Sequence, residues 1–517
     1  MDGEIAAGAG SSIEGAEPRV GASSRDSLAA AGWSCARPGR YRELLPPRAP
    51  RFSWLRPSVL LESRNDLIAR GLGDPTDELR RRWVENQRGK VGDDLIVNRS
   101  ELGPFSFLVV GDPGEGDDSQ YATVPPLLAR ADGTAFMVVC SDVVYPAGDG
   151  NQYVDKFYRP YKDYPAPIYA LPGNHDWYDG LTGFMLHFCE VESPPPVDYE
   201  ASGATGWRDT LRRILWRPPA RPDPEALARG LAMRARPEHQ LRPEHRQPGP
   251  YWAMDTGPLR IVSIDTGITG SMDRDQLEWL RAVSASSSKP KLLLTGRPLY
   301  VNGDGPVRSP HLSAVDRIVR APEHRYVAAI GGDVHNYQRY PVRTDGERTI
   351  QYIVSGAGGA YMSATHKIPL IDLPGVKEED FRCYPLRGDS LSAYSKVYDR
   401  LLTRGRGLFF IPPDEAAAIV REHLGLEPRR DSARRMAPSR RSSLAARLVA
   451  PLPGQRGYNP WLSELLDWND PPLFKSFLRL DASTSEVRIR CFAATGCAEH
   501  EDDPPVEDEV RISLSSP

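Results

Sequence analysis

The sequence predicts an α/β protein in which helices flank layered sheets of buried strands, and three observations predict it. Short apolar runs rich in Val, Ile, Phe and Tyr recur from residue 105 onward. Segments with helical spacing lie between several of them. Each run ends in Gly, Asp, Asn or Pro, as strands do when they deliver polar residues to the rim of a sheet. At 517 residues the chain exceeds the usual single compact domain, so one large domain with insertions, or two domains, is expected.

Taken in order, residues 1–30 are small and polar and read as a disordered tail. Residues 31–100 form an N-terminal extension with one good helical candidate, DPTDELRRRWVENQRGK. There Thr76 or Asp77 would cap the helix, and Leu79 and Trp83 share one side. The main domain is expected over 101–390. Its strands are FSFLVVGD, AFMVVCSD, PIYALPGN, LRIVSIDT, KLLLTGRP, YVAAIGGD and TIQYIVSG. In DRDQLEWLRAVSAS, Asp273 or Asp275 would cap a helix carrying Leu277 and Leu280 at helical spacing.

Two segments interrupt this pattern. Residues 208–250, with the near-duplicate RPEHQLRPEHR, read as an inserted arm bearing one short helix. Residues 391–470 read as a helical, Arg/Pro/Ser-rich insertion with a mobile loop at 426–457. The basic run of that loop reads as a solvated face rather than an anion-binding tether. Over 471–517, FLRLDA and EVRIRCF alternate like a hairpin returning to the core, followed by an acidic tail.

Composition narrows the functional classes. Hydrophobic residues make up 40% and charged residues 26%, as in a soluble globular protein, and the formal charge of −4 is small for this length. Neither nucleic acid nor a membrane surface is an expected partner. No window approaches 18 apolar residues, and the acidic N-terminus lacks the features of a signal peptide, so a cytoplasmic protein is expected. The six cysteines are scattered, as core-filling residues of a reducing compartment would be, although Cys491 and Cys497 are close enough in sequence to pair.

The strand ends carry the chemistry. They read GDPGEGD (111–117), SDVVYPAGD (141–149), GNHDWYDG (173–180) and GGDVHNYQ (331–338). Asp112, Asp142 with Tyr145, Asn174 with His175, and Asp333 with His335 are thus offered from four separate strand ends. Carboxylate, phenol, amide oxygen and imidazole together suit Mn, Fe or Zn. Any one of these residues alone reads more simply as a turn former, a helix cap or a satisfied histidine. The same pattern four times in order does not.

These motifs resemble those of the calcineurin-like metallophosphoesterase superfamily and, within it, the purple acid phosphatase branch, over roughly residues 100–365. The resemblance implies two packed β-sheets flanked by helices, an α/β/β/α sandwich, with the site at the strand ends. It implies two divalent or mixed-valence metal ions (Fe, Mn or Zn) bridged by Asp142. One would be held by Asp112, Tyr145 and His335, and the other by Asn174 and two histidines. His175 would be the proton donor to the leaving group, and Asp176 either orients it or makes a turn hydrogen bond.

The sequence departs from the family pattern twice. Gly332-Asp333-Val334-His335 stands where the family has GHxH, so Asp333 replaces an imidazole with a carboxylate. Thr295-Gly296-Arg297-Pro298 stands where the family places a ligating His, and Gly296 has no side chain to offer. His366 is a candidate to fill in on position alone, and Arg297 is a candidate to bind substrate phosphate, alongside Asn174. The implied activity is hydrolysis of a phosphoester in a small phosphorylated substrate by a metal-activated hydroxide. Two alternatives are a catalytically weakened binding or regulatory protein with an incomplete second metal site, and cleavage of a phosphoanhydride. Trp177, Tyr178 and Trp252 would stack on a base or, more simply, pack beneath the loops.

Overall fold

The structure is a computed structural model, and it describes residues 35–47, 52–91, 94–191, 206–306, 309–344, 348–426, 437–449, 463–468 and 474–514. The expected tail at 1–30 lies outside them, as do parts of the Arg-rich segment. Seven apolar runs of the sequence are strands, as expected: β2 (Phe105–Gly111), β3 (Thr134–Cys140), β4 (Ile168–Leu171), β6 (Arg260–Ile264), β7 (Lys291–Thr295), β8 (Tyr326–Gly331) and β10 (Thr349–Ser355). Their neighbours are β1 (Ile96–Arg99), β5 (Trp252–Thr256), β9 (Tyr337–Arg343) and β13 (Arg382–Tyr384). A small separate hairpin is formed by β11 (Asp372–Leu373) and β12 (Val376–Lys377). Near the C-terminus lie β14 (Lys475–Ala482), β15 (Glu486–Ala494) and β16 (Val506–Ser513).

Two main sheets result, flanked by helices, which is the expected fold class. One has the order β16-β15-β14-β2-β3-β4 and the other β1-β5-β6-β7-β8-β10-β9-β13. Strands β2, β3 and β4 run parallel, as do β6, β7, β8 and β10. Their carboxyl ends are therefore gathered on one side of each sheet. Alternation along β2 explains the layering. Phe107 and Val109 face the second sheet and pack with Phe136, Trp252, Ile261, Leu292 and Ile330, while Leu108 and Val110 face outward to Trp83, Phe157 and Phe184. Val262, Ile264 and Leu293 do the same for the other sheet, meeting Leu280, Val283 and Val315.

Helix Thr76–Val91 buries Leu79 and Trp83 as expected, but its cap is Asp74, whose carboxylate accepts from Thr76 N at 2.9 Å. The helix is locked down by Arg80, fully buried, with ion pairs to Asp265 (2.6 Å) and Asp273 (2.8 Å). Asp273 also caps helix Arg274–Ala285 by accepting from Gln276 N.

Several expectations need correction. The arm at 208–250 carries two helices, Trp207–Leu215 and Pro224–Met233, and its duplicated Pro-Glu-His triplets form two short 3-10 turns. Within 426–457, residues 440–449 are not a mobile loop: Arg440–Val449 is a helix, and its Ala445 and Ala446 pack with Leu391, Ile411 and Ile419. The acidic tail is instead the edge strand β16, paired along β15. Cys497 is bonded to Cys35, not to Cys491, which is a buried free thiol. Around that disulfide, Gly39 N donates to Gly496 O at 2.9 Å, and Arg40 pairs with Glu501 at 3.1 Å. Among the described residues no helix is long and apolar enough to cross a membrane.

Candidate metal centre

The motif residues follow the carboxyl ends of parallel strands: Asp112 after β2, Asp142 and Tyr145 after β3, Asn174 to Asp176 after β4, Arg297 after β7, Asp333 and His335 after β8. Crevices at such ends are where open α/β sheets expose polar groups without breaking the ladder. Reaching the crevice requires unusual backbone. Asp112 (φ 52°), Ser141 (φ 76°), Asp142 (φ 32°) and Asp333 (φ 64°) all hold left-handed conformations. Asp tolerates this region better than most residues, and such outliers cluster where side chains must be aimed.

The Tyr145 hydroxyl is the hub. It lies 3.1 Å from His335 Nε2 and 3.4 Å from Asp112 Oδ1, and it is fully buried. Asp142 also interacts with it, and Asp142 Oδ1 accepts from the His175 N–H at 2.8 Å. Asp112 Oδ2 accepts from the backbone N–H of Asp333 at 2.9 Å, stitching the two sheets together. Gly332 permits this approach, since a Cβ there would stand 2.6 Å from Asp112 Oδ2.

Electrostatics fit a cation. Burial, then repulsion from Asp142 and Asp333, pushes the Asp112 carboxyl well above its usual range. Burial raises Asp142 as well, and burial followed by the Asp142 and Asp112 carboxylates raises the Tyr145 phenol. Acids crowded in this way are what a divalent ion relieves. His335 is suited to join them. Its Nδ1–H donates to the Tyr361 carbonyl at 2.9 Å, which leaves the Nε2 lone pair toward Tyr145, and burial lowers its pKa to about 3, keeping the ring neutral. Among the described residues, the one trio of Cys, His, Asp or Glu donors within 4.8 Å of one another is Cys35, Cys497 and Glu499, where the sulfurs are already bonded to each other. At the strand ends the donors stand wider, around the phenol.

The other half of the site is sparser. Asn174 donates from Nδ2 to the Tyr178 hydroxyl at 2.7 Å, leaving its amide oxygen for a ligand. Asp333 Oδ1 lies 3.5 Å from Arg297 Nε, and Arg297 Nη2 donates to the Ile268 carbonyl at 2.8 Å. Gly296 is tightly enclosed: a Cβ there would meet the Thr266 side-chain Oγ1 at 2.8 Å and the Pro172 carbonyl at 2.9 Å. His366 does not fill the gap. It is buried against helix Arg387–Thr403, with Nδ1 at 2.9 Å from Ser390 Oγ and its ring beside Tyr394.

His175 is held by Nδ1, which donates to the Pro146 carbonyl at 2.7 Å, so Nε2 is its free nitrogen. Asp176 does not orient it. The Asp176 carboxylate accepts from the backbone N–H groups of Val143 (3.0 Å), Gly173 (3.0 Å) and Val144 (3.3 Å), clamping two strand-end loops together. Asp117 caps helix Asp118–Ala129 through Ser119 N, and burial raises it to about 7. Trp177, Tyr178 and Trp252 are all buried and pack beneath the loops. The residue that sequence reasoning missed is Trp54, whose ring centre lies 5.2 Å from that of His175 and 5.6 Å from that of Tyr145. Nothing in the local sequence marks it.

Residues 105–337 match the family model described as calcineurin-like phosphoesterase. No curated protein sequence matches the chain significantly. Among solved structures, the purple acid phosphatase PPD1 from yellow lupin (Lupinus luteus) seeds is similar at 12% identity and a TM-score of 0.38, over 80% of this chain and 54% of that one. This chain therefore spans about half of the lupin protein's length. GAP50, the anchor in the inner membrane complex of Plasmodium, is similar at 9% identity and a TM-score of 0.39, over 80% of this chain and 90% of that one. PhoD follows at 9% identity and 0.35, over 80% and 72%.

Proposed function

With residues 105–337 matching the calcineurin-like phosphoesterases, we propose that the protein is a metal-dependent hydrolase that cleaves a phosphoester of a small substrate. The observation that carries this reading is the convergence of Asp112, Asp142 and His335 on the buried Tyr145 hydroxyl, with acids crowded enough to demand a cation and an imidazole kept neutral. Asp112, Asp142, Tyr145 and His335 would hold one metal. Asp142, Asn174 and Asp333 would hold a second, more weakly, because Gly296 contributes no ligand. Such ions activate water and offset charge on a phosphoryl group.

The chain's own groups supply the rest. Arg297, fixed by Ile268 O, presents its guanidinium beside Asp333 to bind phosphate oxygens. Asn174, its Nδ2 committed to the Tyr178 hydroxyl, would offer its amide oxygen to the second metal and not to a phosphate oxygen. In its charged form His175 carries a proton on Nε2, since Nδ1–H is committed to Pro146 O. As the bond from phosphorus to the leaving oxygen breaks and water oxygen bonds to phosphorus, that proton passes from Nε2 to the leaving oxygen. Asp176 contributes only by holding the loops in place.

The lack of space at Gly296 favours a second reading, a binding or regulatory protein with one metal and little turnover. One experiment separates the two: metal content per chain after Mn, Fe or Zn loading, together with turnover of phosphomonoesters and phosphodiesters. Two metals with turnover, both reduced in Tyr145→Phe and His335→Ala, are expected. One tight metal without turnover would favour the second reading, and no metal under any loading would sink both.

A further inference from the structure

Resting on the phosphoesterase reading, we propose that Trp54 forms the wall against which the leaving group packs, and that the preferred substrates are phosphoesters with an aromatic leaving side. Trp54 belongs to the N-terminal extension, outside the matched segment 105–337. It is nevertheless built into the site. Its Nε1–H donates to the buried Glu115 carboxylate at 2.9 Å, and Phe52 packs edge-on to it at 5.2 Å. Phe52 is in turn covered by the Lys156 ammonium at 4.9 Å. The indole is therefore held in one orientation before any ligand arrives, which lowers the entropic cost of using it as a contact.

Its surroundings decide what it faces. The His175 imidazole is flanked by Tyr145 (4.6 Å), Tyr178 (4.6 Å) and Trp54 (5.2 Å). Tyr145 and Tyr178 are fully buried, whereas Trp54 and, 6.4 Å from it, Tyr361 remain partly exposed. The open side of the His175 ring is therefore the side of Trp54 and Tyr361. A leaving group that takes its proton from His175 Nε2 departs along these two rings. The nearby cations are already engaged elsewhere: Lys156 Nζ donates to the Tyr145 carbonyl, and Lys475 Nζ donates to Ala360 O and Asp467. Arg297 lies on the Asp333 side. Two partly exposed aromatic rings, set edge-on to each other beside engaged cations, suit a planar, weakly charged group better than a second phosphate or a sugar.

The test uses the full-length, metal-loaded protein with p-nitrophenyl phosphate as the aryl probe and β-glycerophosphate as the alkyl probe. Trp54→Ala is expected to raise KM for the aryl ester about five- to tenfold more than KM for the alkyl ester, with KM moving more than kcat. Trp54→Phe is expected to recover most of the difference. Should Trp54→Ala fail to fold, Trp54→Leu, which keeps bulk without a π face, is expected to show the same split. Equal effects on the two esters, or none, would overturn the assignment. A wild-type protein that turns over only the alkyl ester would overturn it while leaving the phosphoesterase reading standing. A wild type that binds metal but turns over neither would overturn both.

Discussion

At the scale of single residues, two backbone carbonyls set the chemistry of the candidate site. Pro146 O and Tyr361 O each accept from a histidine Nδ1 and so point Nε2 of His175 and His335 inward. Carbonyls have no sequence signature, which is why the sequence disclosed the imidazoles but not their tautomers. The same logic governs His187, away from the centre. Its ring stacks on Tyr153 at 4.1 Å, Nε2–H donates to Gly150 O at 2.9 Å, and Nδ1 accepts from the Tyr158 hydroxyl at 3.1 Å. Every site on the neutral ring is used, and burial lowers its pKa from 6.5 to about 4. The sign follows directly. Below pH 6.5 the unfolded chain takes up a proton that the fold refuses, so stability is full above 6.5 and falls as pH drops toward 4, by about 3 kcal/mol at most. Urea midpoints between pH 7 and 4 should show this loss. His187→Gln should reduce it, with the buried His335 and His366 accounting for what is left, and an unchanged slope in that variant would refute the assignment.

At the scale of elements, the strands were legible because buried parallel strands read as short, unbroken apolar runs, and the polar residues at their ends read as a pattern repeated four times. Helix Arg440–Val449 was not, because a run of arginines and serines reads as solvated chain, and only the contact of Ala445 and Ala446 with neighbouring helices reveals its packed side. Gly296 is the clearest case of partial legibility. The sequence disclosed a missing ligand, whereas the structure discloses why none fits: β7 ends where the Pro172 carbonyl and Thr266 leave no room for a Cβ. Gly296→His, which restores the family residue, is therefore expected to destabilise the fold by about 1–3 kcal/mol without adding a metal. Thermal melts with metal analysis would check this, and an additional bound ion at an unchanged melting temperature would contradict it.

At the scale of the whole molecule, the N-terminal extension is built into the fold and is not an appendage. It places Trp54 beside His175, anchors Arg80 in the core and is bonded through Cys35 to Cys497. Scattered cysteines gave no hint of that bond, since partners 462 residues apart in the chain are brought together only by the fold. Closing so long a loop restricts the unfolded chain, so Cys35→Ser is expected to lower stability by about 2–5 kcal/mol in urea titrations, and an unaltered midpoint would show that the bond contributes nothing.

The pairing of β14 with β2, in which Leu478 lies opposite Val109, carries a consequence for biosynthesis. The strand that presents Asp112 has β3 as one neighbour early in translation but acquires the other only after residue 474 has been made. Until then β2 is an exposed edge, open to pairing with other nascent chains. The sheet that presents Asp112 and Asp142 is thus joined to its C-terminal strands only after Lys475–Ala482 has emerged from the ribosome.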